Sequence, residues 1–184
     1  MKALIALLAI SVAPFSAGAE DSCASLIPAA LGSQILAKFP AYRLPQETDN
    51  VAEDIQYARE HSRGACLGVD TADFDGDGHL DYLIALTAKE GPGALVLVAL
   101  TRSTDWKLYV LDVLKDDRSR LYVSSGAAGE FDDVGDYDHD RPREKGAVDH
   151  LKCPRAVALL GEIESSAIAY CFLNSAWKHV WVSD

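Results

Sequence analysis

One short segment of the chain has residue types and a spacing that could bind a metal ion. It reads Asp73-Phe74-Asp75-Gly76-Asp77-Gly78-His79-Leu80-Asp81 and carries carboxylates at its first, third, fifth and ninth positions. Calcium prefers six to eight oxygen ligands in a flexible shell, and a tight turn of this kind delivers several of them from one stretch of chain. We therefore predict a calcium site with Asp73, Asp75, Asp77 and Asp81 as its side-chain ligands.

Two further positions fit a calcium loop. Gly78 stands at position six, where the backbone must turn with a positive φ that glycine adopts without steric penalty. His79, at position seven, is expected to contribute its main-chain carbonyl and not its imidazole. Position twelve is Ile84, whereas a helix–loop–helix EF-hand carries a bidentate glutamate there. The segment is therefore a calcium loop outside the EF-hand architecture.

An apolar run follows the loop at residues 82–87, and its length and β-branched content predict a buried strand. A D-x-D-G-D-G-x-x-D loop that leads into an apolar strand resembles the calcium loops of FG-GAP and VCBS repeat proteins, over about fifteen of the 184 residues. The resemblance implies that the four aspartates bind calcium. Those families repeat the unit as propeller blades or tandem modules, and this sequence has one full copy, so the resemblance extends to the loop and not to the architecture.

A second acidic segment has part of the same pattern. Residues 136–140 read Asp-Tyr-Asp-His-Asp, but Arg141 stands where the turn glycine is expected. The segment lies within an acidic stretch from Gly126 to Gly146, which is longer than a loop of a compact domain usually is without a function. Three interpretations stay open for residues Asp132 to Asp140: a second metal site, a partner-binding surface, or a solvated and disordered insertion.

The first nineteen residues have the features of a secretory signal peptide. Lys2 supplies a positive charge, Ala3 to Val12 is apolar, and Ala17-Gly18-Ala19 places small residues before a cleavage point. No later apolar run approaches the roughly eighteen residues that cross a bilayer. We predict a signal peptide at residues 1–19 and a single calcium-binding domain at residues 20–184, located in the periplasm or secreted.

All four cysteines fall in the predicted exported chain. An even number of cysteines in an oxidising compartment is typical of disulfides, and the sequence has no C-x-x-C pair that would favour a zinc or catalytic thiolate site. Four cysteines can form two disulfides in three ways, and the sequence leaves all three open. We mildly prefer the one that joins sequence neighbours, Cys23 to Cys66 and Cys153 to Cys171.

The elements that must position the metal loop fall into two groups. Two helices come first, Ser22 to Phe39 with a break near Gly32, and Val51 to His61 with Asp49 or Asn50 as its N-cap. Hydrophobic patterning then predicts seven strands: Tyr82 to Ala88, Ala94 to Leu100, Trp106 to Lys115, Leu121 to Ser125, Ala156 to Ile163, Ser166 to Leu173, and Trp177 to Val182. The predicted fold is α+β, with N-terminal helices followed by a mainly antiparallel β-sheet meander.

The net charge and the absence of common catalytic motifs limit the classes of function that the sequence supports. A formal net charge of −11 disfavours nucleic acid and anionic membranes as partners. The sequence has no G-x-S-x-G, H-E-x-x-H or phosphate-binding glycine loop, and its five histidines show no paired spacing. We therefore expect a non-catalytic module that binds another protein, such as an inhibitor or immunity-type protein that blocks a basic exported enzyme. A calcium-dependent hydrolase with a carboxylate base, and a calcium sensor, stay open as alternatives.

Overall fold

The structure is a computed structural model that describes residues 21–61, 64–116, 118–135 and 144–183. Within these ranges the chain forms two helices, α1 (Ala29–Lys38) and α2 (Ala52–Glu60), and two 3₁₀ turns at Ala24–Leu26 and Glu47–Asp49. The strands are β1 (Tyr42–Arg43), β2 (Val69–Ala72), β3 (Asp81–Ala88), β4 (Ala94–Thr101), β5 (Trp106–Leu114), β6 (Leu121–Gly126), β7 (Gly129–Asp132), β8 (His150–Cys153), β9 (Val157–Glu162), β10 (Ala167–Leu173) and β11 (Ala176–Ser183). The predicted signal peptide and residues 136–143 of the second acidic segment lie outside the described residues.

The strands form two sheets and a separate hairpin. Sheet A has the order β1-β3-β4-β5, with β2 also paired to β3, and sheet B has the order β11-β10-β9-β6. Strands β7 and β8 pair with each other. Every strand pair is antiparallel, so β3-β4-β5 and β9-β10-β11 are each a meander.

The two sheets pack face to face, and a further layer covers each outer face. In β3, Leu83 and Ala85 point into the core between the sheets, while Ile84 and Leu86 point toward α1. This alternation follows from the two-residue period of a strand, and a strand covered on both faces is apolar throughout. Strand β4 shows the same pattern, because all residues from Ala94 to Leu100 are buried. On the far face of sheet B, the β7–β8 hairpin covers Ala169 and Val180.

The cysteines are paired as preferred from the sequence. The Cys23–Cys66 disulfide fastens the start of the described chain to the segment before β2, and the Cys153–Cys171 disulfide fastens β8 to β10. Each bond lies in one of the two outer core layers. The disulfides therefore attach the covering layers to the central sheets.

The fold differs from the prediction in class and in detail. It is mainly β and not α+β, because two short helices accompany two sheets and a hairpin where one meander was expected. The chain breaks its first helical stretch at Pro28 and not near Gly32, which is buried inside α1. Val51, and neither Asp49 nor Asn50, is the N-cap of α2. Part of the predicted loop from Gly126 to Gly146 forms β7.

The seven predicted strands are all present, with ends within about two residues of the prediction. In the last of them, Trp177 and Trp181 face the core between the sheets, while Val180 and Val182 face the hairpin, as the alternation predicts. Within the described ranges, no helix has the length and apolar character needed to cross a membrane.

Candidate metal centre

The predicted metal loop connects β2 to β3 at one end of sheet A. The two strands pair antiparallel up to Ala72 and Asp81, so residues 73–80 form the turn of a hairpin. Gly76 and Gly78 have φ values of 80° and 86°, a left-handed conformation that favours glycine. Phe74 is fully buried and packs edge-on against Trp177, with ring centroids 6.3 Å apart. The turn is therefore anchored in the core by its apolar residue.

Asp73 shapes the turn through its carboxylate. Its Oδ1 accepts hydrogen bonds from the backbone N–H groups of Gly76 and Asp77 at 2.6 and 3.2 Å, and its Oδ2 accepts one from Gly78 at 2.9 Å. These bonds wrap the backbone around a carboxylate at position one of the loop. A carboxylate offers about four acceptor sites, so these three bonds leave about one site, on Oδ2, for a cation.

Three of the four predicted side-chain ligands lie together. Asp73, Asp75 and Asp81 each place a carboxylate oxygen so that the three oxygens are within 4.8 Å of one another. Calcium–oxygen distances of about 2.3–2.6 Å place opposite ligands roughly 4.6–5.2 Å apart. One calcium ion could therefore contact all three carboxylates.

The fourth predicted ligand, Asp77, is not part of this group. Its carboxylate lies 3.1 Å from Nδ1 of His79 and 3.3 Å from Arg102, and its Oδ1 accepts the backbone N–H of His79 at 2.9 Å. This backbone hydrogen bond, followed by the His79 ring and Arg102, lowers the pKa of Asp77. The imidazole of His79 is largely exposed beside the loop. Asp77 stays ionised, but it would have to reorient to join the other three carboxylates.

Asp81 joins the loop to the rest of sheet A. Its side chain is fully buried, and its oxygens accept the backbone N–H groups of Thr101 at 2.7 Å and Phe74 at 2.9 Å. Burial raises the pKa of Asp81 to about 6, and the negative charges of Asp75 and Asp77 add to this effect against the two hydrogen bonds. A bound divalent cation would reverse this balance, because it favours the ionised carboxylate.

Comparisons of the chain with protein-family models, with curated proteins and with solved structures found no match. The resemblance to FG-GAP and VCBS calcium loops therefore stays a proposal about the loop. Its support is the geometry of Asp73, Asp75 and Asp81.

Two arginines from other parts of the chain complete the site. Arg102, just after β4, contacts the Asp75 carboxylate at 2.9 Å and the Asp77 carboxylate at 3.3 Å. Arg155, just before β9, donates a hydrogen bond to the carbonyl oxygen of Asp75. Neither arginine could be predicted from the local motif, because both lie outside it and only the packing of the strands brings them to the loop. Their positive charges offset part of the repulsion among the aspartates.

The described part of the second acidic segment has a different arrangement. Glu130 and Asp132 lie on the exposed face of β7, where their carboxylates contact Lys152 at 2.6 Å and His150 at 2.8 Å on β8. These are exposed cross-strand contacts between polar side chains, which contribute modestly to stability. Asp136, Asp138 and Asp140 lie outside the described residues, so the hypothesis of a second metal site there stays a prediction.

Proposed function

We propose that the loop at residues 73–81 binds one calcium ion and that this ion stabilises the fold. The observation that carries the proposal is the convergence of Asp73, Asp75 and Asp81 oxygens within 4.8 Å. The donors are all carboxylate oxygens, which hard divalent cations prefer. Calcium suits an irregular shell of this kind better than magnesium does, because magnesium demands near-octahedral geometry.

The way the loop is held supports a structural role. Phe74 fixes its first half in the core, and the buried carboxylate of Asp81 ties it to Thr101 at the end of β4. The hydroxyl of Thr101 also donates to the Leu80 carbonyl at 2.5 Å. An ion held by Asp73, Asp75 and Asp81 would join the β2–β3 turn to the neighbouring strand, so its binding energy would add to folding stability.

The first experiment measures calcium binding directly. Isothermal titration of chelator-treated protein, with both disulfides intact, should show one calcium site and much weaker binding of magnesium. Asp75→Asn should weaken calcium binding at least about tenfold, because it removes a charged ligand from the group of three. Asp116→Asn makes the same chemical change at an exposed residue outside the loop and should leave the affinity unchanged. Absence of calcium binding, or equal affinity in the Asp75→Asn variant, would refute the site.

We further propose that the protein is an exported module, periplasmic or secreted, that acts without catalysis by binding another protein. Two disulfides fit an oxidising compartment. A net charge of −11 gives the surface a field that attracts basic proteins and accelerates their association. The proposed partner is therefore a basic exported enzyme that the module inhibits, as an inhibitor or immunity-type protein does.

The partner proposal requires its own test. Calcium-loaded protein is titrated against a panel of basic secreted hydrolases, lysozyme among them, with acidic hydrolases as controls. We expect inhibition of at least one basic enzyme and of none of the acidic ones, with affinity that weakens as salt is added. Equal inhibition of basic and acidic enzymes, or no inhibition of any enzyme in the panel, would contradict the proposed partner class. Neither result would affect the proposal of a calcium site.

A further inference from the structure

A cavity of about 280 Å³ lies between an edge of sheet A and an edge of sheet B. Its walls come from β5, from β10 and β11, and from the turn before β8, and its lining includes Val110, Leu111, Lys145, Tyr170, Trp177 and His179. The volume is at the lower end of the range for small-molecule sites, so the cavity suits a ligand smaller than a drug-sized compound.

Two polar aromatic side chains in this cavity are deeply buried. The side chain of His179 is 7% exposed and Tyr170 is 4% exposed, and their rings lie 5.1 Å apart in a tilted arrangement. Among the described residues, the polar contact recorded for these two side chains is that of His179 Nε2 with Oε2 of Glu144 at 3.7 Å. The lining also includes a fully buried polar atom without a hydrogen-bond partner among the described residues, Nε1 of Trp177. A buried donor without a partner is rare and requires an explanation, such as a ligand or an ordered water.

The protonation of these two groups makes the inner part of the cavity uncharged. Burial, with a smaller contribution from the charge of Lys178, lowers the pKa of His179 and outweighs the opposite effect of three acidic neighbours, Glu144, Asp112 and Asp133. The imidazole is therefore neutral at pH 7. Burial, together with Asp112 and Glu144, raises the pKa of Tyr170, so its hydroxyl keeps its proton. A neutral imidazole offers one donor and one acceptor, and a phenol offers both.

The surroundings discriminate most strongly against an anion. Asp112 and Glu144 act on both Tyr170 and His179 and would repel an anion, while Lys145 in the lining offsets part of their attraction for a cation. Val110, Leu111 and the ring of Trp177 provide apolar and aromatic walls. A matching ligand is uncharged, has groups that both donate and accept hydrogen bonds, and has a C–H surface that packs on aromatic rings.

We propose that this cavity binds an uncharged polyhydroxyl ligand of the size of one sugar residue, with Tyr170 and His179 as its hydrogen-bonding residues and Trp177 as part of the apolar wall. Sugar hydroxyls donate and accept like the two side chains that face them, and the ring carbons of a sugar present a C–H surface. None of the described lining residues lies in the metal loop, although Trp177 also packs against Phe74 of that loop, and the proposal does not depend on calcium binding.

The test titrates the intact protein with glucose, galactose and N-acetylglucosamine, and with glucuronate and glucosamine as charged counterparts. Amide shifts in a ¹H–¹⁵N NMR spectrum and the fluorescence of tryptophan report binding. We expect at least one neutral sugar to bind saturably in the millimolar range and to shift amides of β5, β10 and β11. The Tyr170→Phe variant removes only the hydroxyl and should weaken that binding at least fivefold at an unchanged melting temperature.

Tyr42→Phe is the matched control, since it removes a hydroxyl in the outer layer against α1 and should bind the sugar as the parent does. No saturable binding up to roughly 100 mM would show that the cavity holds water only. Unchanged affinity in the Tyr170→Phe variant would remove the proposed hydrogen-bonding residue. Tighter binding of glucuronate or glucosamine than of the neutral sugars would overturn the ligand class.

Discussion

Asp81 is the residue at which the metal loop and the core of sheet A meet. Burial of its carboxylate, together with the negative charges of Asp75 and Asp77, raises its pKa to about 6 against the opposite effect of two backbone hydrogen bonds. In an unfolded chain the same group titrates near 3.8. In the absence of a cation, Asp81 therefore contributes stability that is fully present below pH 3.8 and is lost as the pH rises through about 6.

Calcium binding reverses this pH dependence, because the ion requires the ionised carboxylate. We predict that calcium affinity at pH 5 is about tenfold weaker than at pH 7.5, since a group with a pKa near 6 is about one-tenth ionised at pH 5. Titration calorimetry at pH 7.5, 6 and 5 measures the effect. In the Asp81→Asn variant the affinity should be low and nearly independent of pH over this range. A parent protein whose affinity does not change with pH would show that Asp81 is not a ligand.

Arg102 is a positive charge inside the proposed site. It contacts Asp75 and Asp77, and it must share these carboxylates with a bound ion or release them. We predict that Arg102→Gln raises calcium affinity about three- to tenfold, because it removes a competing cation, and lowers the melting temperature in chelator, because the aspartates lose a counter-charge. Lys115→Gln removes the same charge from an exposed position and is the control for calorimetry and thermal unfolding. Weaker calcium binding in Arg102→Gln would instead make Arg102 a residue that positions the ligands.

At the scale of the elements, periodicity predicted the long strands well and the short ones not at all. Strands β3 to β6 and β9 to β11 have six or more residues, enough for a two-residue period or a continuous apolar run to be visible. Strands β1, β2, β7 and β8 have two to four residues and carry no such signal. The fold-class prediction was therefore right in part: the antiparallel strands and the two helices are present, but the short strands that add to the β content were missed.

At the N-terminus of α2, tertiary contacts override the local preference for Asp or Asn as the N-cap residue. Asp49 and Asn50 are good capping residues, but the Asn50 amide donates to the Leu121 carbonyl at 2.7 Å and its oxygen accepts from buried Arg118 at 3.2 Å. Asp49 binds Arg43 and the hydroxyl of Thr87. The motif of the metal loop predicted the grouping of Asp73, Asp75 and Asp81. It did not predict that the Asp77 carboxylate contacts His79 and the distant Arg102.

Each disulfide fastens one covering layer to a central sheet, so each should have a separate effect on stability. The bonds close segments with sequence separations of 18 for Cys153–Cys171 and 43 for Cys23–Cys66. The chain-entropy treatment then predicts losses of about 3 and about 4 kcal/mol in unfolding free energy when the pairs are replaced by alanine. Urea denaturation measures the losses. Hydrogen exchange should show faster exchange of the β7–β8 hairpin in the Cys153→Ala, Cys171→Ala variant only; equal exchange in both variants would contradict this local attachment.

At the scale of the whole molecule, the metal loop is connected to both sheets. Phe74 packs between sheet A and sheet B against Trp177, Asp81 begins β3, and Thr101 ends β4. Arg155 links the same loop to the start of β9 in sheet B. Binding energy gained at the loop is therefore expected to stabilise the entire fold and not only the turn.

Because the loop contacts both sheets, we predict that calcium removal lowers the thermal stability of the whole fold. Calcium at a hundred times its dissociation constant adds about 2.7 kcal/mol to the unfolding free energy, and a domain of this size gains about 2–4 °C per kcal/mol. Excess chelator should thus lower the midpoint of thermal unfolding by roughly 5–10 °C in a single transition. The Asp75→Asn variant, with at least about tenfold weaker calcium binding, should keep about half or less of this calcium-dependent rise in midpoint. If calcium changes neither the midpoint nor the hydrogen exchange of residues 73–81, the loop is empty. If the midpoint is unchanged but hydrogen exchange changes at residues 73–81 alone, the result favours a calcium sensor over a structural site.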